Sequence, residues 1–174
     1  MDVNDTSKVK INNNNKYQLT DTELQRWKNN RTDTQEDGTG YASLYSAAIG
    51  DGAHAEGYST LSIGRGAHSE GNYTIAEGMA GHAEGSRTEA YGRMSHAEGI
   101  GGKATEEASH AEGVNGEATG YAAHVEGGNC SASGYCAHAE GSSTVASGRY
   151  SHAEGEGEGD ENSGASGQGS HAEG

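Results

Sequence analysis

Nine histidines, each with a glutamate two residues later, are the side chains of this sequence best suited to chemistry. A histidine beside a carboxylate can transfer protons, hold a metal ion or form a charge-assisted hydrogen bond. The first eight pairs recur at one fixed interval, and the ninth pair (His171, Glu173) follows after a longer one. The first eight pairs are His54 and Glu56, His68 and Glu70, His82 and Glu84, His96 and Glu98, His110 and Glu112, His124 and Glu126, His138 and Glu140, and His152 and Glu154.

The regular repetition of the pair argues against catalysis. An active site is one unique arrangement of groups, whereas this pair recurs unchanged along the chain. The sequence contains no Gly-x-Ser-x-Gly elbow, His-Glu-x-x-His or phosphate-binding loop. A serine that directly precedes a histidine on a strand points to the opposite face, so Ser95 and His96 do not form a nucleophile and base. We therefore predict no catalytic residues and a protein that is not an enzyme.

Hydrogen bonding and metal binding remain as roles for the pairs. Three histidines around a symmetry axis can hold a transition metal or trap an anion, and three histidines with three glutamates can also form rings of hydrogen bonds. The sequence favours hydrogen bonding, and we predict no metal and no cofactor. If the pairs instead face solvent, they form an alternating charged stripe.

The repeat that carries the pairs predicts an all-β solenoid. Each 14-residue unit consists of two halves, such as Ser95-His96-Ala97-Glu98-Gly99 and Thr144-Val145-Ala146-Ser147-Gly148, with small and large residues in alternation. Alternation is typical of a strand, and glycine permits a bend. Each unit is then one flattened coil, and successive coils pair in parallel at about 4.8 Å. The small residues fill the thin interior, and the histidines and glutamates point outward.

Composition limits the classes of partner. The 174 residues include 30 Gly, no Pro and no Phe, and their formal net charge is −15. An acidic chain repels nucleic acid, so we predict no nucleic-acid partner. We also predict no membrane contact, because no apolar run approaches the ~20 residues of a membrane span, and the polar start does not read as a signal peptide. With only 30% hydrophobic residues, the chain needs another source of stability, and the candidates are stacked backbone hydrogen bonds and burial between subunits.

The chain divides into three regions. Residues 1–18 are predicted to form a flexible arm, and residues 19–45 a short helix with its connector. The helix is indicated by a capping box at Thr20 and Glu23 and by three apolar residues for docking, Leu19, Leu24 and Trp27. Residues 46–174 form the repeat domain, with an insertion near 156–161.

The Ser-His-Ala-Glu-Gly repeat of residues 46–174 resembles the head repeat of trimeric YadA-like adhesins. This resemblance implies a left-handed parallel β-roll and a homotrimer of such rolls around a threefold axis. The commoner unit of that family reads Ser-Val-Ala-Ile-Gly, and its valine and isoleucine pack between subunits. Here histidine and glutamate occupy those two places, so the resemblance implies that the first eight pairs form a polar seam of the trimer.

A second resemblance lies in the Leu-Thr-Asp-x-Glu-x-x-x-Trp segment from Leu19 to Trp27. It is similar to a segment of bacteriophage tail fibre proteins of Gram-positive hosts. We therefore expect a structural segment of a phage or prophage-derived tail fibre or appendage, located in the virion or on an extracellular surface and contributing to host attachment. The alternative is a trimeric adhesin head that binds a host glycan or protein through its outer face. Its candidate contacts are Tyr58, Tyr73, Arg87, Arg93, Tyr121, Tyr135, Arg149 and Tyr150.

Overall fold

The computed structural model describes residues 46–157 and 164–174. The predicted arm (1–18) and the predicted helix and connector (19–45), with Leu19, Leu24 and Trp27, lie outside the described residues. The described residues form an all-β structure of short strands. They include no helix with the length and apolarity needed to span a membrane.

Seventeen strands occur in the described residues. They are β1 (Ala47–Ala48), β2 (His54–Tyr58), β3 (Leu61–Ser62), β4 (His68–Asn72), β5 (Ile75–Ala76), β6 (His82–Ser86), β7 (Glu89–Ala90), β8 (His96–Ala97), β9 (Lys103–Ala104), β10 (His110–Val114), β11 (Glu117–Ala118), β12 (His124–Gly128), β13 (Ser131–Ala132), β14 (His138–Ser142), β15 (Val145–Ala146), β16 (His152–Glu154) and β17 (His171–Glu173).

The strands form two parallel sheets, and each coil between His54 and Ala146 contributes one strand to each sheet. The histidine sheet has nine strands in the order β17-β16-β14-β12-β10-β8-β6-β4-β2. The second sheet has eight strands in the order β1-β3-β5-β7-β9-β11-β13-β15. Residues one repeat apart are paired, as in His110↔His124 and Glu112↔Glu126. This register confirms the prediction of a parallel β-solenoid in which each repeat unit forms one coil.

The two halves of a coil form strands of different length, although the two half-repeats have the same length and a similar residue pattern. In most coils the strand of the histidine sheet has five residues, whereas the strand of the second sheet has two. The longer strand continues through a glycine such as Gly71, which pairs with Gly57 and Gly85. The φ of Gly71 is +112°, which other residues rarely adopt, so this glycine keeps the ladder paired while the chain begins to bend.

Small residues fill the interior between the sheets. Alanines stacked one above another are fully buried, including Ala83, Ala97 and Ala111. Buried serines donate hydrogen bonds to carbonyl groups of the preceding bend, as from Ser95 Oγ to Gly92 O at 2.7 Å. These bonds compensate for burying a hydroxyl group. The predicted thin coil with small inward residues is confirmed.

The bends use left-handed residues that are often not glycine. Tyr73, Arg87 and Tyr150 have φ values between 58° and 59°. Each donates its backbone N–H to a carbonyl of the preceding coil, as from Tyr73 N to Tyr58 O at 2.8 Å. This hydrogen bond offsets the cost of the left-handed conformation.

The last coil contains additional residues. Ala146 forms a parallel bridge with Ala165, so the interval here is longer than the one that joins Ala132 to Ala146 in the preceding pair. Ser147 N also donates to Ala165 O at 3.0 Å, which returns the chain to the ladder. The insertion predicted near 156–161 falls mostly outside the described residues.

Candidate functional site: the histidine ladder

The nine histidines lie above one another on the outer face of the histidine sheet, and we call this row the histidine ladder. From His68 to His171 each imidazole stacks on the next, with ring centroids 4.6–4.9 Å apart and ring planes within 7° of parallel. The first ring, of His54, meets His68 edge-on at 5.0 Å. The stack follows from the fold, because a parallel in-register sheet places identical side chains one strand spacing apart.

The interior imidazoles are partly buried and lack hydrogen-bond partners at Nε2. The side chains of His96 and His138 are 34% and 33% exposed, compared with 63% for His54 at the end. Seven Nε2 atoms are shielded from solvent and form no hydrogen bond: those of His68, His82, His96, His110, His124, His138 and His152. A shielded polar atom without a partner is uncommon in proteins, so this face calls for an explanation.

The glutamates lie near the imidazoles without satisfying them. Within one coil, Nε2 of His96 and Oε2 of Glu98 are 3.4 Å apart, and the corresponding pairs at His54, His68, His82 and His138 lie at 3.4–4.0 Å. At these distances a protonated histidine would form an ion pair with the glutamate, but the interior pairs do not meet hydrogen-bond geometry. Only the ends do so, as between His171 Nε2 and Glu154 Oε1 at 3.1 Å. The interior imidazoles of the ladder therefore lie beside carboxylates, but their Nε2 atoms have no hydrogen-bond partner among the described residues of the chain.

Burial and the neighbouring rings disfavour charge in the middle of the ladder. The pKa values of His110 and His138 are lowered, first by burial and then by the imidazoles stacked on either side. The nearby carboxylates raise both pKa values, but by less. The neutral form of these two histidines is therefore favoured in the folded chain.

We expect the melting temperature to fall on acidification below about pH 6.5. The folded chain binds protons at His110 and His138 less readily than the unfolded chain. Their contribution to stability is therefore full above the unfolded pKa and is lost as the pH falls from there through the lower pKa of the folded state. The groups that face these two rings are His96, His124, His152, Glu98, Glu126 and Glu140.

Thermal unfolding followed by circular dichroism at pH 7.5, 6.5 and 5.5 measures this effect. The double variant H110Q/H138Q should show a smaller decrease, because it lacks the two titrating groups. A melting temperature that is constant or rises on acidification would contradict the expected sign.

The serines beside the histidines have structural partners. Ser95 Oγ, Ser109 Oγ and Ser151 Oγ each donate to a backbone carbonyl three residues earlier, at 2.6–2.7 Å. Their hydroxyl groups are therefore engaged away from the imidazoles. The interior Nε2 atoms are therefore free to bind a group from outside the chain, either a hydrogen-bond partner or a metal ion.

A second group of side chains is brought together on the outer bends. Tyr121 stacks on Tyr135 at 4.9 Å, and Tyr135 meets Tyr150 edge-on at 5.7 Å. The guanidinium of Arg149 lies 4.9 Å from the centres of both the Tyr135 and Tyr150 rings. We call these four residues the tyrosine cluster. In the sequence these four residues are separate candidate contacts. The only sequence signal for their contact is the one-repeat interval between Tyr121 and Tyr135.

The other predicted outer contacts do not join this cluster. Tyr58 and Tyr73 form a separate edge-on pair at 5.4 Å. Arg93 lies 3.7 Å from Glu107, and Arg87 occupies a left-handed bend of its own. The outer face therefore carries one compact aromatic patch and several dispersed side chains.

The fold and the ladder together define a class, a parallel β-solenoid repeat protein with one invariant polar face. No protein-family model matches the sequence, and no curated protein is significantly similar to it.

Proposed function

We propose that this chain is a structural segment of a trimeric fibre, a phage or prophage-derived tail fibre or related appendage that contributes to host attachment without catalysis. The parallel solenoid supports a fibrous role, because each coil contacts only its neighbours and the rod grows by stacking. The resemblance of the repeat to YadA-like heads supports three left-handed rolls around one axis. The resemblance of residues 19–27 to a tail fibre segment supports the virion as its location.

The observation that carries the proposal is the set of seven shielded Nε2 atoms without partners. A neighbouring copy supplies carboxylates at the same spacing, since glutamates recur at every level of the same face. Three such faces around an axis place three histidines and three glutamates at each level. Hydrogen bonds between chains then satisfy the nitrogen atoms that one chain leaves unpaired.

The first eight His–Glu pairs form the seam in this arrangement, and they also set the register of the three chains. Sliding one chain by half a coil separates every imidazole from its carboxylate partner, so misaligned trimers lose these hydrogen bonds. Polar groups in an interface are known to specify register in this way. The mechanical role follows, because parallel ladders secured by three chains open from their ends.

The oligomeric mass in solution tests the proposal. Light scattering coupled to size-exclusion chromatography should give three times the 17.8 kDa of one chain. The variant H110E should weaken the trimer at pH 7, because it places three additional carboxylates around the axis. S133E adds the same charge at an exposed position directly after β13 of the second sheet and should leave the trimer intact. A monomeric wild-type chain would refute the proposal.

The tyrosine cluster favours a second candidate function, adhesion of a trimeric head to a host glycan or protein. Tyrosine and arginine are the residue types that often dominate binding energy, and Tyr121, Tyr135 and Tyr150 are each more than 40% exposed. A glycan array with the wild-type chain and with Y135A separates the two functions. Y91A, at an exposed tyrosine that is neither in the cluster nor among the predicted contacts, is the matched control. Signals lost in Y135A and kept in Y91A would support adhesion, and an array without signals would favour the structural role.

A further inference from the structure

We propose that the C-terminal half of the histidine ladder binds divalent transition-metal ions such as Zn²⁺. Each site is formed by two imidazoles of successive coils and the carboxylate between them. In each group the three candidate ligand atoms lie within 4.8 Å of one another. The groups are His110, Glu112 and His124; His124, Glu126 and His138; and His138, Glu140 and His152. The sequence alone favoured hydrogen bonding, and the proposal rests on the positions of these atoms.

The group around Glu140 illustrates the geometry. Its Oε2 atom is 3.7 Å from His138 Nε2, and its Oε1 atom is 3.9 Å from His152 Nε2. Two ligands of a tetrahedral Zn²⁺ site, each about 2.0–2.1 Å from the ion, are about 3.4 Å apart. Shifts of a few tenths of an ångström therefore bring either pair to coordination distance. Imidazole nitrogen with carboxylate oxygen suits Zn²⁺ and its neighbours better than Mg²⁺ or Ca²⁺.

The shielded Nε2 atoms are the second observation that supports metal binding. Within the described residues of one chain, the Nε2 atoms of His110, His124, His138 and His152 form no hydrogen bond, so coordination breaks no bond among them. In the proposed trimer a bound ion takes the place of the hydrogen bonds to the neighbouring copy. The rings of His138 and His152 are parallel and 4.7 Å apart, and one ion cannot lie in both ring planes. One imidazole must rotate to bind, and metal binding should therefore disturb the stack.

The positions of the groups predict how many ions one chain can bind. Successive groups share His124 or His138, and ions one coil apart also repel each other, so neighbouring groups cannot fill together. The first and third groups fill, and the middle group stays empty. All three ligands come from one chain, so a site does not need the proposed trimer to be complete. In the trimer the ion competes with the inter-chain hydrogen bonds of the same side chains. A fourth group, formed by Glu154, His171 and Glu173, is outside the proposal because His171 already has a carboxylate partner.

The test is to count the Zn²⁺ bound per chain by equilibrium dialysis in excess Mg²⁺. An H171Q background removes the fourth group. In that background we expect two ions per chain. E112Q should bind one ion, because the first group is lost. E126Q should bind two, because it changes only the middle group. The two variants make the same substitution at equivalent positions of adjacent coils.

H82Q and H124Q form a second matched pair. Both interrupt a stack with rings on each side, at 4.6–4.9 Å, but His82 belongs to none of the three groups. H82Q should keep two ions and H124Q should keep one, with circular dichroism confirming that each variant folds. Absence of Zn²⁺ binding would overturn the proposal. Equal losses in E112Q and E126Q, or in H82Q and H124Q, would also overturn it, because ions would then bind along the whole ladder.

Discussion

Replacing Gly127 by alanine is expected to lower the free energy of unfolding by about 3 kcal/mol or more. Gly127 has φ +107°, a conformation that is strained for any residue with a side chain. A Cβ atom there would also lie 2.1 Å from the carbonyl oxygen of Gly141 in the next coil. The overlap is with backbone that is itself held in the ladder, since Gly127 and Gly141 are paired in register. No side-chain rotation can relieve it.

The adjacent residue provides the control for this prediction. A Cβ atom on Gly128 would have no heavy atom within 4 Å, and its φ lies outside the left-handed range. Gly128→Ala should therefore change stability by no more than about 0.5 kcal/mol. Chemical denaturation of both variants measures the difference. Similar destabilisation by the two substitutions would show that close approach of the coils is not what requires glycine at position 127.

This contrast shows what the repeat could and could not predict about glycine. The sequence assigned the recurring glycines to bends, and the bends are present. In the structure, Gly78 is also needed because a Cβ atom there would lie 1.8 Å from Gly92 O. By contrast, several bend residues that adopt a left-handed conformation are not glycine, for example Tyr73 and Met94. Sequence spacing could not separate these roles, because the contact that excludes a side chain comes from the coil above.

The sequence could predict which face carries the histidine ladder, but not the side-chain conformations within it. A strict repeat interval and strand alternation predicted that His96 and Glu98 share one outward face, and the 3.4 Å distance between His96 Nε2 and Glu98 Oε2 confirms this. The direction of each carboxylate was not predictable. Glu98 lies near the histidine of its own coil, whereas Glu154 bonds to His171 of the next. Side-chain rotamers determine this difference, and the repeat pattern carries no information about them.

Substitutions at Val125 and Gly116 are expected to have strongly non-additive effects on the free energy of unfolding. In most coils the residue after the histidine is a fully buried alanine, and Val125 is the largest fully buried side chain. Gly116 occupies the place of the buried Thr60, Thr74, Thr88 and Thr144 in other coils. A Cβ atom on Gly116 would lie 2.7 Å from Val125 Cγ1. The missing side chain at position 116 therefore makes room for the additional methyl groups of Val125.

A double-mutant cycle measures this coupling by chemical denaturation. G116T alone should destabilise by about 1–3 kcal/mol through overpacking. V125A alone should cost about 1–2 kcal/mol, because the glycine opposite leaves the space unfilled. The double variant restores the usual pair of residues, and the introduced threonine can donate to the Glu112 carbonyl, as Thr88 and Thr144 donate to the Glu84 and Glu140 carbonyls. The double variant should be more stable than G116T, with a coupling energy of about 2 kcal/mol.

Gly102 is the matched control position for the cycle, because it faces alanine instead of valine. A Cβ atom there would be 3.8 Å from the Cβ of Ala111 and 3.3 Å from Glu98 O, so the same substitution, G102T, should destabilise less than G116T. Additive effects of G116T and V125A would contradict the coupling. Coupling of the expected sign would mean that two facing interior residues share a fixed total side-chain volume, so that a larger residue on one side requires a smaller one on the other. That rule explains how a solenoid with an alanine core accepts a valine without losing the register of its coils.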